Sequence, residues 1–178
     1  MKTLINYIVA LLLVIALPAF SQTDKATTKR IIEDRDFVFV ATTALPLSSQ
    51  EITAVLNRLN SPNSAGSINL TGSRYDLVVK KDSVMAYLPF YGRSYSPSLD
   101  PNEAGTKFKS KDFSYVNTKR KKGGWNIVIV PKDVKDNQKL TLYVTESGYA
   151  TLNVMNNNRQ PISFNGYITE PAKNKQKD

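Results

Sequence analysis

Neither cysteine nor histidine occurs anywhere in the 178 residues. Without cysteine no disulfide can form, so the core alone must hold the fold. Without histidine the commonest general base and the commonest metal ligand are gone. Together the two absences exclude the usual zinc sites and every Cys–His or Ser–His nucleophile system. Carboxylate, lysine or tyrosine chemistry is what remains. Asp100-Pro101-Asn102-Glu103-Ala104-Gly105 places oxygen ligands beside a glycine, but not at EF-hand spacing. Gly123-Gly124 has neither the Walker spacing nor a strand-to-helix context. Glycosidase-like chemistry needs two convergent carboxylates, and no pair stands out among acids such as Asp82, Asp133 and Asp136 in turns. No cofactor, no metal and no catalytic residue is therefore expected.

Long apolar runs are scarce too, with one exception. Met1 to Ser21 reads as a secretory signal peptide, with Lys2 as its positive start and Ile8 to Leu17 as its apolar centre. Pro18 ends the run, and Ala19 and Ser21 are the small residues before a cut that makes Gln22 the first mature residue. A spanning helix needs roughly 20 apolar residues, so this run is short for a permanent anchor. A lipoprotein would carry a cysteine at the cut, and Ser21-Gln22 stands there instead. The expected location is periplasmic or secreted, without a stable membrane anchor. The lack of disulfides tilts the source toward a bacterial envelope.

Twenty-four basic side chains face 15 acidic ones, a formal charge of +9. Losing Lys2 with the signal leaves 23 against 15, or +8, on 157 residues. That is one domain with room for a core. The charge favours an anionic partner, an envelope glycan, lipid or protein. A charge of about 8 also lies within the normal range for a small soluble domain. Nucleic acid is not expected, because no binding motif accompanies the charge.

The rest of the chain reads strand after strand. Residues 22–36 form a polar lead-in, a short helix or a flexible segment around Ile31-Ile32. Phe37-Val38-Phe39-Val40-Ala41 is the first strand. Ser49 to Leu59 spaces Ile52, Val55, Leu56 and Leu59 as a short helix would. Short strands follow over Ser67 to Leu70, Arg74 to Lys80 and Ser83 to Phe90, then an irregular stretch from Tyr91 to Thr106. A meander of hairpins comes next: Phe113 to Thr118, Trp125 to Val130, Lys139 to Glu146, Tyr149 to Met155 and Ile162 to Ile168. Trp125, Ile127 and Ile129 share one side of their strand; Leu140, Leu142 and Val144, and Ala150, Leu152 and Val154, do the same on theirs. Such alternation marks an antiparallel sheet with one face on a core. The predicted fold is all-β: a single antiparallel sandwich or partly open barrel of about nine strands over residues 37–169, with one or two short helices. Residues 170–178 are a charged, flexible tail.

Several pieces taken together resemble a known family. They are Phe37 to Ala41 followed by Leu45-Pro46, Leu88-Pro89-Phe90-Tyr91-Gly92-Arg93, Phe113-Ser114-Tyr115 and Gly123-Gly124-Trp125. Gly148-Tyr149-Ala150-Thr151-Leu152 and Arg159-Gln160-Pro161-Ile162-Ser163-Phe164-Asn165-Gly166 complete the set. The chain resembles the bacterial domain-of-unknown-function family numbered 4251 from about Phe37 to Ile168. Gln50 to Ser64 is longer than the family pattern and reads as an insertion. The resemblance implies a Gram-negative envelope protein with a mainly β fold, and no particular reaction.

Two groups of residues are candidates for a site. Tyr87, Tyr91 and Tyr95 surround Arg93 where a strand gives way to the irregular stretch. Aromatic rings with one arginine can stack on a sugar or grip an anion. They can equally cover the end of a core. The second group is basic. Lys107, Lys109 and Lys111 alternate around Phe108, three charges on one strand face, and Lys119, Arg120, Lys121 and Lys122 form a hairpin tip. These suit an anionic surface, though lysines also guard strand edges. The leading functional reading is a non-catalytic binding or interaction domain. A lipocalin-like carrier of an apolar ligand is the alternative, and a carboxylate-dependent hydrolase comes third.

Overall fold

The computed structural model describes residues 23–46, 66–95 and 105–172. The signal-like segment, the expected helix at 49–59, residues 96–104 and the tail from 173 lie outside the described residues. Among the described residues one helix, α1 (Lys25–Asp34), precedes ten strands. They are β1 (Phe37–Pro46), β2 (Ile68–Asn69), β3 (Asp76–Val79), β4 (Val84–Leu88), β5 (Thr106–Ser110), β6 (Phe113–Lys119), β7 (Trp125–Pro131), β8 (Lys139–Val144), β9 (Tyr149–Met155) and β10 (Ile162–Thr169). The fold is all-β, a nearly closed, barrel-like antiparallel sheet with one short helix.

Neighbours in the sheet run β5-β4-β3-β1-β10-β9-β8-β7-β6, with the two-residue β2 paired to the far end of β1. Strand β3 pairs with β4, and β6 through β10 pair each with the next in order, because a short turn brings the following strand alongside. Arg120 and Gly124 close the β6–β7 turn, and Thr145 and Tyr149 the β8–β9 turn. Gly124 takes φ 80°, and a Cβ there would lie 2.2 Å from the Val144 carbonyl oxygen, so only glycine fits. The non-local step is β1 with β10, an antiparallel ladder running from Val38↔Thr169 to Pro46↔Ile162.

The register of that ladder slips between Ala41 and Thr43. The burial of β1 slips with it: Phe37, Phe39 and Ala41 point inward, then Ala44 and Pro46. The bulge turns Thr42 so that its hydroxyl donates to the Asn165 carbonyl at 3.1 Å. Gly166 sits opposite, and a Cβ there would fall 1.9 Å from the Val40 carbonyl oxygen.

Inward side chains fill the barrel. Phe37, Phe39, Leu77, Ile127, Ile129, Leu140, Leu142, Leu152 and Phe164 all have no exposed surface. Each such side chain contributes roughly 1.5–3 kcal/mol by leaving water. The alternating residues of β7, β8 and β9 read from the sequence as one apolar side are the buried ones. Helix α1 crosses the end of the barrel at which β1 begins. Asp24 caps it, accepting from the backbone N–H of Ala26 at 2.8 Å and of Thr27 at 3.0 Å. Arg35 ends it in the left-handed conformation. Thr28, Ile31 and Ile32 enter the core, so the polar lead-in is part of the domain's packing. Thr23 donates to the Ile168 carbonyl at 2.6 Å, and Lys25 pairs with Glu146 at 2.7 Å. At the other end of the helix the Arg35 guanidinium lies 4.6 Å over the Tyr115 ring.

Nine strands lie on the main path, each antiparallel to the next, so the two edge strands β5 and β6 run the same way. They form no ladder with each other. Lys111-Asp112 between them is a corner at which one bent strand leaves one edge of the sheet and begins the other. Lys111 therefore sits on the corner, not on the strand face with Lys107 and Lys109.

Three substitutions test this packing. Gly166→Ala should lose about 1–3 kcal/mol by overpacking the β1–β10 ladder, read as a lower urea midpoint at unchanged slope. Gly72→Ala should lose no more than about 1 kcal/mol, since its φ is 89° but nothing lies within 4 Å of the added Cβ. The Tyr115 hydroxyl is buried without a partner, and burial pushes its ionisation up to about 12, partly opposed by Arg35. The folded state holds this proton more tightly than the unfolded chain, whose tyrosines ionise near 10. Its contribution is thus complete below pH 10 and lost as pH rises from 10 through 12. Tyr115→Phe should leave melting at pH 7 unchanged or higher and flatten the alkaline decline.

Candidate functional site

Antiparallel alternation sorts the connections between the two ends of the barrel. The β6–β7 and β8–β9 hairpins share the helix end. The β7–β8 loop (132–138) and the β9–β10 loop (156–161) share the other. At that second end the free edge of β5 faces the β7–β8 loop across a cleft of about 330 Å³.

The walls of the cleft are held by specific bonds. Asp133 stitches the corner to the loop: its carboxylate accepts from the Ser110 hydroxyl, from the Lys111 N–H at 2.9 Å and from the Asp112 N–H at 3.3 Å. These donors, Ser110 first, hold its carboxyl below the usual range. Ser110 is fully buried, so Asp133 also satisfies a hydroxyl that water does not reach. Asp136 joins the two loops, accepting from the Asn158 side-chain amide while its carbonyl takes the Asn157 N–H. Asp136 and Asn137 both have positive φ, 70° and 41°, conformations that Asp and Asn tolerate best. The next residue, Gln138, is 8% exposed, and its buried Oε1 has no hydrogen-bond partner.

Four cations line the same cleft: Lys107, Lys109, Lys135 and Arg159. Lys107 and Lys109 alternate on one face of β5, roughly 7 Å apart by strand geometry. Arg159 is fixed at the cleft wall, its guanidinium 5.1 Å over the Phe90 ring and donating to the Gly105 carbonyl at 2.8 Å. Both carboxylates of the cleft already hold backbone or amide donors. The balance available to a ligand is positive.

The tyrosine–arginine group is divided by the fold. Tyr87 points outward on β4, stacks on Tyr75 at 5.6 Å and carries the Lys107 ammonium 5.7 Å from its ring centre. Tyr91 turns inward, packs on the core and has its ionisation pushed up by burial and then by Tyr75. The Arg93 backbone exchanges two bonds with Gln160, at 3.1 and 3.0 Å, and the Tyr95 N–H donates to the Asn158 carbonyl at 2.7 Å. The stretch thus straps the end of β4 to the β9–β10 loop and buttresses the cleft from behind. The basic residues divide as well. Lys107 and Lys109 are at the cleft and Lys111 on the corner, while Lys119 and the exposed tip Arg120, Lys121 and Lys122 are at the helix end.

Two other hollows are weaker candidates. One of about 390 Å³ beside α1 contains Arg30, Asp34 and Glu170. Arg30 is paired with both acids, so its charge is neutralised within the fold. One of about 290 Å³ lies on the outer face of β8–β10 beside Tyr143 and Tyr149. Arg120 already covers Tyr143 at 5.8 Å, and Thr151 donates to Asn165 at 3.0 Å. Among the described residues no three Asp or Glu side chains gather as metal ligands would.

Sequence reasoning passed over Lys135, Gln138 and Arg159. Arg159 was visible only as part of the family pattern, and neither Lys135 nor Gln138 belonged to it.

No curated protein matches the chain. Among solved structures it is similar to the crystal structure of a DUF4251 family protein from Bacteroides eggerthii DSM 20697 at 1.95 Å resolution. The two share 14% identity with a TM-score of 0.56, over 85% of this chain and 91% of that one. That likeness is one of fold. The family model described as "Domain of unknown function (DUF4251)" matches residues 19–168. With that match over most of its length, the chain belongs to the DUF4251 family.

Proposed function

We propose that this protein is a non-catalytic binding domain of the bacterial envelope that holds an anionic ligand in the cleft between β5 and the β7–β8 and β9–β10 loops. One observation carries the reading: four cationic side chains, Lys107, Lys109, Lys135 and Arg159, outnumber the two carboxylates, Asp133 and Asp136, that line the same cleft. A concave site with an excess of positive charge suits an anionic ligand group. Export rests on the signal-like reading of residues 1–21, and an envelope setting supplies anionic glycans and lipid headgroups.

The filled interior favours this surface site over an apolar carrier, which needs an open barrel. Hydrolysis is disfavoured for a different reason. A general acid needs a raised pKa. Asp133 has the opposite shift, with three donors favouring its ionised form.

Amide chemical shifts of the whole mature chain, followed through a titration with inorganic phosphate at low salt, test the proposal. Residues 107–109, 134–138 and 159 should move together, and Lys107→Ala with Lys109→Ala should weaken binding roughly tenfold, about 0.7 kcal/mol for each partly exposed cation. Raising salt to about 0.15 M should weaken it further. Shifts confined to 119–122 would overturn the assignment to the cleft.

A further inference from the structure

Away from the cleft, β6 is the second edge of the sheet, and its free side is open. The Asp112 carbonyl accepts from the Lys132 N–H at 2.8 Å, and the Arg120 N–H donates to the Gly124 carbonyl at 3.0 Å. Residues 112 and 120 thus turn their backbone bonds toward β7. Antiparallel pairing alternates that direction residue by residue. The N–H and C=O groups of Phe113, Tyr115, Asn117 and Lys119 therefore point away from β7, and nothing among the described residues takes them. Asn117 and Lys119 stand opposite Ile127 and Trp125, on the inward face, yet both are exposed. The barrel wall stops at β6.

Proteins blunt such edges with charge, proline, a bulge or brevity. On β5, Lys107 and Lys109 do so. β6 has no such device before Lys119. Its seven residues keep unbroken register with β7, Phe113 to Thr118 carry no charge, and Val116 at the centre is 56% exposed. We infer that β6 is a docking edge for an extended strand of another protein, added antiparallel and held by the backbone groups of residues 113, 115, 117 and 119.

Charge selects the occupant. Arg35 stands over Tyr115, and Lys119, Lys121 and Lys122 stand at the end of the edge. None of these is in an ion pair among the described residues. They suit a strand that begins with Asp or Glu, since antiparallel docking brings its N-terminal end to the basic tip. A second copy suits the edge less. With Val116 on a two-fold axis, residue 121 falls level with residue 111, lysine against lysine, between two basic chains.

The probe is a short synthetic peptide of alternating threonine and valine with aspartates at its N-terminal end, added in excess to the full mature chain. Amide hydrogen exchange is the readout. The 115, 117 and 119 amides should slow by about tenfold or more, while 114, 116 and 118, already bonded to β7, stay unchanged. A copy N-methylated at alternate amides should protect none of them. A copy with lysines for aspartates should bind several-fold more weakly at low salt. Asn117→Pro removes an N–H that no bond of the fold uses, so it should melt close to the parent and abolish the protection. Val116→Lys, an ordinary edge guard, runs in parallel so that a proline distortion does not decide the result, and it should weaken binding about tenfold. No protection, protection of the even-numbered amides, equal binding of the N-methylated peptide or changes confined to 107–109 would overturn the docking edge. If the lysine copy binds as well, the acidic occupant is overturned. If the same amides are protected without peptide as the chain is concentrated and sediments as a dimer, the occupant is a second copy and the partner strand is overturned.

Discussion

The ladder between β1 and β10 is the contact on which the rest of this structure depends. It joins the first long strand to the last and makes one ring of what would otherwise be two open meanders, β3–β5 and β6–β10. Neither meander alone buries both ends of its inward face. Closure places Phe37 and Phe39 against residues such as Phe164 and gives α1 an end to cover. The contact is also the least local in the fold, so its chain entropy cost comes before most of its reward. Gly166 permits the closest approach of the two strands at the bulge, and α1 reinforces the junction through Thr23, whose hydroxyl holds the Ile168 carbonyl.

Closure by that ladder dictates where the sheet stays open. An odd number of antiparallel strands on one path cannot finish with an antiparallel pair. The seam must fall between strands running the same way, here β5 and β6, and a two-residue corner joins them. Bare edges invite pairing with other chains, and charged side chains discourage it. Lys107 and Lys109 stand on the short edge β5 for that structural reason as well as for any ligand. The cleft is thus a consequence of strand parity, furnished afterward by the loops that border it. Asp133 makes the join stiff by satisfying the corner's backbone and Ser110 together.

What could be read in advance follows the same division. Strands β7, β8 and β9 were legible because apolar residues recur at every second position, as with Trp125, Ile127 and Ile129, and that pattern depends only on the residue itself and its period. The partner of β1 was not legible. Alternation in Phe37 to Ala41 says which side is inward and nothing about which strand lies alongside. β5 was half legible: Lys107, Lys109 and Lys111 suggested a strand face, but the corner at Lys111 comes from the topology of the seam. Lysines at the cleft were visible as charge. Gln138 was invisible, because an orphaned oxygen is a property of packing and a lone glutamine in a turn looks solvent-facing. The tyrosines around Arg93 misdirected for a related reason: their spacing says nothing about which rings turn inward, and Tyr91 does while Tyr87 does not.

Three features that folding alone disfavours meet at the cleft. Four cations line one hollow against two carboxylates, two successive non-glycine residues take positive φ, and the following glutamine buries an acceptor without a donor. Much of the rest follows local preference, from the Asp24 cap to the glycines of the hairpins, although the Tyr115 hydroxyl and the left-handed Arg35 depart from it. Departures gathered within one loop and its facing strand suit a second constraint there. An anionic ligand relieves the first of them, by balancing the excess of positive charge. It would bind the folded state alone, since the unfolded chain does not bring β5, Gln138 and Arg159 together. Occupancy should therefore return to the fold the stability that the empty cleft withholds.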